Sequence, residues 1–295
     1  MTKKSVFVAV IGETNAGKST LINHLIGQKV SIVSHKVQTT RFKILGILTE
    51  EHNQIVFIDT PGIFNPKRNF DKAMIKLSYL QIDEADIILF LLDCNKGITH
   101  ETENILNKLK SATDKKIILV LNKIDIIKKE ELLTLATYFN DQLIFQEIFM
   151  VSALKGDGLK DIVKYLENNM CHDLWYFEED QVSDQQLSQI ACEITREKIY
   201  KFLNQELPYQ IIVEHVQWTE NERKIEIHQN IYVAKDNYKG MVLGKGGSKI
   251  KDIRMAAMSE MKKEFGKNVS LFLFIKVDEK IFDRQSTLQM MGLDL

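Results

Sequence analysis

The sequence predicts two domains in series: an α/β domain built on a mostly parallel sheet with helices on both faces, then an α+β domain. Three observations carry this expectation. Up to about residue 170, short apolar runs ("VFVAVIG", "IVFIDT", "DIILFLLD", "KIILVLNK", "IFMVSA") alternate with amphipathic helical stretches, the pattern of strands covered on two sides by crossover helices. Beyond residue 184 the order changes to helix, strand, strand, helix, helix, strand, which marks a separate unit with adjacent strands. A chain of 295 residues also exceeds a single small module and has room for about two cores.

Composition narrows the class. Apolar residues make up 44% and charged residues 27% of the chain, ordinary for a globular protein and unlike disordered, collagen-like or coiled-coil chains. The net charge of -1 conceals a basic segment, because between Lys235 and Lys267 nine basic residues face four acidic ones. A polyanionic partner is one reading of that excess and a solvated face is the other. Cys94, Cys171 and Cys192 show no CxxC spacing, so neither a disulfide framework nor a zinc site is expected, and a reducing cytoplasm suits them. The opening "MTKKSVFVAVIG" imitates a signal peptide but continues into "ETNAGKST", which reads as a buried first strand followed by a loop. Apolar runs such as "IILFLL" and "IILVL" fall far short of the eighteen or so residues needed to span a bilayer.

Taken in order, the first strand ends at "GETNAGKST", which fits G-x-x-x-x-G-K-[ST] between a strand and a helical "TLINHLIG". Gly12, Asn15, Ala16 and Gly17 supply a loop whose N–H groups can surround phosphate oxygens, and the helix that follows adds its positive end. Lys18 would reach the β and γ phosphates, Ser19 would ligate Mg²⁺, and Thr20 follows beside them. The strand "IVFI" ends at "DTPG", where Asp59 can hold Mg²⁺ and the Gly62 N–H can meet a γ-phosphate. Read alone, this is also an ordinary turn. The strand "KIILVL" ends at "NKID". There the Asp125 carboxylate can accept from guanine N1–H and the 2-amino group, donors that adenine does not present on that edge. Asn122 would bond the far edge of the base and the Lys123 stem would cover its face. After the last strand come Ser152, Ala153 and Leu154, whose N–H groups can meet the guanine 6-oxo group.

The connection "WYFEEDQVSD" (175–184) leads into the second domain. There a glycine loop, "VLGKGGSKIK", joins two predicted helices. It fails the phosphate-loop pattern, because only three residues separate Gly240 from Gly244 and Gly246 stands where Ser or Thr must ligate the metal. Gly244, Lys245, Gly246 and Gly247 instead fit the GxxG loop of a KH domain, which clamps the backbone of about four nucleotides. Lys249, Lys251 and Arg254 would extend the basic track, and Val242, Leu243, Ile250 and Ile253 would frame an apolar groove for bases. The order of helices and strands corresponds to the type II arrangement.

Together the phosphate loop, "DTPG", "NKID" and "SAL" resemble a translation-factor-type GTPase domain. With "VQTTR", "DTPGI", "ITREKIY", "ELPY" and "VLGKGGSKIK" added, the whole chain resembles the Era family: a P-loop GTPase domain followed by a type II KH domain. The resemblance implies a G domain over 1–175, a linker over 176–183, a KH domain over 184–277 and a tail over 278–295 packed on it. It implies GTP or GDP and Mg²⁺ as ligands, with Lys18, Thr40 and Gly62 in the catalytic set and Ser19, Thr40 and Asp59 on the metal; Thr40 is preferred over Thr39 by the "TTR" pattern. Asn15 stands where some relatives hold K⁺. Many GTPases place a water-orienting glutamine after "DTPG", whereas this chain has Ile63, so slow intrinsic turnover is expected. Thr14 departs from the proline common in relatives. The implied partners are single-stranded RNA at the 3′ end of 16S rRNA and the 30S subunit under assembly, with a monomeric protein in the cytoplasm and peripheral contact with the inner membrane. Two other readings stay open at this point, a general RNA-binding module with a scaffold G domain and a tRNA-modification GTPase.

Overall fold

In a computed structural model, residues 2–33, 43–64, 66, 69–111, 115–203 and 211–281 are described. All five apolar runs of the first half form strands: β1 (Lys4–Gly12), β3 (Asn53–Asp59), β4 (Ile87–Asp93), β5 (Lys116–Asn122) and β6 (Glu147–Val151). A further strand that those runs did not include, β2 (Ile44–Glu50), pairs antiparallel with β3. The order is β2-β3-β1-β4-β5-β6, and every pairing except β2 with β3 is parallel. Helices α1 (Lys18–Ile26), α2 (Asn69–Glu84), α3 (His100–Lys110), α4 (Lys129–Asn140) and α5 (Leu159–Glu167) fill the crossovers.

The unbroken apolar character of these strands follows from two buried faces. Val6, Val8 and Val10 of β1 pack with Leu21 and Ile22 of α1 and Ile162 of α5. The alternate residues Ala9 and Ile11 pack with Ile105 of α3 and Phe139 of α4. Every residue of β4 is buried, and each Leu or Ile so covered contributes about 1.5–3 kcal/mol relative to exposure. Such a sheet brings the carboxyl ends of β1, β3, β4 and β5 to one edge, the usual place for a ligand.

The stretch predicted as a linker is bound to the first unit. Trp175 Nε1 donates to His52 O (3.0 Å), and the fully buried Gln54 accepts from the Tyr176 and Phe177 N–H groups (3.0 and 3.1 Å). Ile47 N donates to Val182 O (2.9 Å) and Leu45 N to Asp184 Oδ1 (2.9 Å). Residues 182–184 thereby satisfy edge groups of β2 that would otherwise need water. The main boundary between two compact units falls at Asp184/Gln185.

The second unit comprises α6 (Leu187–Phe202), β7 (Ile211–Glu220), β8 (Lys224–Val233), α7 (Asp236–Leu243), α8 (Ser248–Phe265) and β9 (Asn268–Val277). Its sheet runs β7-β8-β9, antiparallel at β7 with β8 and parallel at β8 with β9. Ile194 of α6, Ile227 of β8, and Ala257 and Met261 of α8 form one apolar cluster; Ile199, Val233, Val242 and Ile253 form another. The "ITREKIY" segment is the buried part of α6, where Arg196 pairs with Glu193 and Thr195 Oγ1 donates to Gln229 Oε1 (2.7 Å). At the start of the tail Ile281 is buried, and the remainder, like "VQTTR" with Thr39 and Thr40 and like "ELPY", lies outside the described residues. No described helix is long and apolar enough to cross a membrane.

Candidate functional site

Gly12 closes β1, and the loop from Glu13 to Gly17 leads into α1, which begins at Lys18 with no side-chain cap. The positive end of a helix and its first N–H groups therefore border the loop. Lys18 is buried, and its ammonium donates to Gly12 O (3.2 Å) and Glu13 O (2.9 Å). Burial pulls its pKa down to about 8, with Asp59 opposing that fall. A buried cation hydrogen-bonded to carbonyls at a helix N-terminus fits a polyphosphate, whose charge would offset the lost hydration. Thr20 follows in the first turn of α1.

Asp59, at the end of β3, is fully buried and accepts from Ser19 Oγ (2.8 Å) and Ser31 Oγ (2.6 Å). The Asp59 carboxylate and the Ser19 hydroxyl brought together in this way form a hard oxygen set that fits Mg²⁺ completed by phosphate oxygens and water. Among the described residues there is no cluster of three His, Cys, Asp or Glu able to hold a metal alone. Beyond Asp59, Gly62 comes so close to the phosphate loop that a Cβ there would lie 2.7 Å from Thr14 Cα. Ile63 N donates to Gly12 O (3.0 Å), and the Ile63 side chain is buried in the core beneath. The residue that stands in the water-orienting position is thus a core residue.

At the base end, Asp125 accepts from Ser152 Oγ (2.8 Å), and Lys123 is drawn to Asp93 (2.5 Å). Asn122 is buried; its Nδ2 donates to Ala16 O (2.7 Å) and its Oδ1 accepts from Ala153 N (2.9 Å). Asn122 therefore pins the phosphate loop to the loop after β6. Two of the "SAL" N–H groups have partners within the protein. Ser152 N donates to Asp157 O (3.1 Å) and Ala153 N to Asn122, so Ser152 acts here through its hydroxyl on Asp125. Leu154 is largely exposed. Ser31, Asp93, Glu13 and Lys96, none of them part of the predicted set, also belong to this region; their partners lie far away in sequence, and only the strand-terminal position of Asp93 was a signal.

In the second unit, Gly244 to Gly247 form the turn between α7 and α8. Gly246 has φ 60° and nothing within 4 Å of where a Cβ would stand, so the backbone angle, not crowding, calls for glycine. α8 again starts without a side-chain cap. Lys245, Lys249 and Lys251 are exposed and Arg254 is half-buried. The Lys249 stem lies against Gly244, while Lys251 and Arg254 share another face at i,i+3 spacing. Of the four apolar residues expected to frame a groove, Leu243 is exposed and Ile250 half-buried, whereas Val242 and Ile253 are fully buried core residues.

Residues 7–123 match the family described as 50S ribosome-binding GTPase, and residues 198–280 match the KH domain family. The GTPase Era of Sinorhizobium medicae is 48% identical over 292 residues, covering 99% of this chain and 94% of that protein. The GTPase Era of Rhizobium meliloti is also 48% identical, covering 99% and 93%. Among solved structures, Era in complex with MgGDPNP and nucleotides 1506–1542 of 16S ribosomal RNA has a TM-score of 0.93 at 34% identity, covering 99% of this chain and 100% of that one. A variant of Aquifex aeolicus Era bound to GDP·AlF4⁻ gives the same TM-score, identity and coverage.

Proposed function

The chain belongs to the Era family of GTPases, and from that premise we propose that it is a GTP-hydrolysing switch that grips the 3′ end of 16S rRNA through its KH domain during assembly of the 30S subunit. The observation that carries this reading is the presence in one chain of a phosphate loop with a buried lysine and of a GxxG turn between two helices. A solved relative holds both a GTP analogue and the 3′ nucleotides of 16S rRNA. We assign nucleotide chemistry to residues 1–175 and RNA to 184–277, with 176–183 as connector and 278–295 packed on the KH domain.

Lys18 would neutralise the β and γ phosphates, and the start of α1 would donate N–H bonds to them. Ser19 and Asp59, with Thr40, would hold Mg²⁺, which draws charge from the phosphate oxygens. Gly62, set against Thr14, would present its N–H to the γ-phosphate, so that the loss of that phosphate releases "DTPG". Asp125, oriented by Ser152, would select guanine through charge-assisted bonds worth about 1.5–3 kcal/mol. Phosphoryl transfer depends chiefly on positioning and charge stabilisation. With Ile63 in the core, the side chain at that position orients no water, and intrinsic turnover should be slow. Replacing K⁺ by Na⁺ in the assay tests the K⁺ role of Asn15. Cytoplasmic location with peripheral contact with the inner membrane completes the proposal, with the protein acting as a monomer.

Binding titrations test the reading. The chain should bind GTP in preference to ATP, and should bind an RNA copied from the 16S 3′ end in preference to a scrambled one. Lys18→Ala should lose the nucleotide and keep the RNA. Equal affinity for GTP and ATP would overturn the base assignment, and equal affinity for the two RNAs would leave only a general RNA-binding module.

A further inference from the structure

We propose that Glu13 is a positioning residue of the GTPase reaction, holding the phosphate loop in its receptive form by a carboxylate grip on the start of α3. The inference rests on the GTPase reading and adds a residue to it.

The phosphate-loop pattern leaves position 13 unspecified. Yet in the structure Glu13 touches three parts of the site at once. Its carbonyl accepts from the Lys18 ammonium (2.9 Å). Its backbone forms a parallel bridge with Ile63, next to Gly62. Its carboxylate Oε1 accepts from the hydroxyls of Thr99 and Thr102 (2.6 Å for Thr102), and Lys96 stands 3.7 Å from Oε2. Lys96 also donates to Thr14 O (3.1 Å), binding the next loop residue.

The donors form a consistent set. Thr99 is the N-cap of α3 and accepts from Thr102 N (3.1 Å), so its own hydroxyl proton is free to go to Glu13. The carboxylate thus sits at a helix N-terminus, where negative charge is favoured, and its side chain is only 13% exposed. Neighbouring Asn15 has φ 64°, a conformation that a residue with a side chain adopts at some cost. A loop so bent needs anchors on both sides. Asn122 provides one at Ala16, and Glu13 with Lys96 provides the other at 13 and 14.

If the grip preorganises the loop, its loss weakens binding of any phosphate chain and leaves the chemical step of the bound state largely intact. The test compares full-length wild type, Glu13→Gln, Glu13→Ala and Thr102→Val by Kd for GDP, by KM and kcat for GTP, and by Tm. Glu13→Ala should raise both Kd and KM by about tenfold, with kcat within about threefold. Glu13→Gln keeps an acceptor oxygen for the two hydroxyls and should recover binding to within about threefold of wild type. Glu13→Ala binding within about twofold of wild type, or Glu13→Gln as weak as Glu13→Ala, overturns the proposal. If Glu13→Ala does not fold, Thr102→Val decides: a rise of about threefold in both constants at unchanged Tm supports the grip, and a lower Tm with unchanged constants reduces it to a structural role. A wild type that fails to prefer GTP over ATP would instead remove the family-based reading beneath.

Discussion

Lys18 owes its chemistry to burial as much as to its charge. With its pKa lowered to about 8 by desolvation, most of the free protein carries a neutral Lys18 above that pH, whereas a bound phosphate chain draws the group back to its charged form. Affinity is then at its full value below about pH 8 and falls as pH rises through that point, with proton uptake on binding. Calorimetric titration with GDP between pH 7 and 9, without divalent cations, checks both signs; an affinity flat across that range would contradict them. Ser152→Ala removes the hydroxyl that orients Asp125 and should weaken GTP binding by about 0.5–1.5 kcal/mol, read as a change in Kd of about two- to tenfold. The thiols differ in the same physical terms. Burial pushes Cys94 up to about 12 and Cys192 higher still; Cys171 is also raised by partial desolvation, but it alone of the three is exposed. Iodoacetamide should therefore label Cys171 alone in the native protein, as mass spectrometry would show. Lys18, Asp59 and Asp125 were legible in the sequence because each lies in a contiguous motif whose spacing the chemistry fixes. Glu13 was not, because its partners Thr99 and Thr102 lie 86 and 89 residues away. Asn122 and Ser152 were legible as site residues, but their protein-facing bonds depend on packing that the motifs do not encode.

At the scale of elements, two loops of similar composition perform different work because their neighbours differ. The first follows a buried strand and surrounds a buried lysine; the second joins two helices and leaves Lys245 in solvent. Gly246→Asp places a side chain at φ 60° at a cost of about 1–2 kcal/mol and sets a negative charge where RNA phosphate should lie. RNA affinity should fall by at least about tenfold with GTP binding unchanged, as paired titrations would show; equal loss of both would indicate misfolding. The alternation of apolar runs made the parallel strands legible. β2 was harder to read, because it is an antiparallel edge strand interrupted by Gly46, and it lacks the long β-branched run of its neighbours. The groove was overdrawn for a related reason. Val242, Leu243, Ile250 and Ile253 are all apolar, and only the packing of α7 and α8 on the sheet decides that Val242 and Ile253 face inward.

At the scale of the whole molecule, the hydrogen bonds of residues 175–184 with β2, β3 and the turn between them give the connector a fixed seat on the first unit. Polar composition at 175–184 signalled a boundary, but the pairing that anchors it joins residues more than a hundred positions apart, beyond the reach of a local reading. The central claim is that GTP turnover and RNA binding belong to one cycle. Steady-state GTP hydrolysis with Mg²⁺ tests it most directly, measured alone, with a short RNA copied from the 3′ end of 16S rRNA, and with a scrambled RNA. Slow basal hydrolysis stimulated by the matched RNA and not by the scrambled one is the predicted result. An unchanged rate, with both GTP and matched RNA shown to be bound, would contradict it.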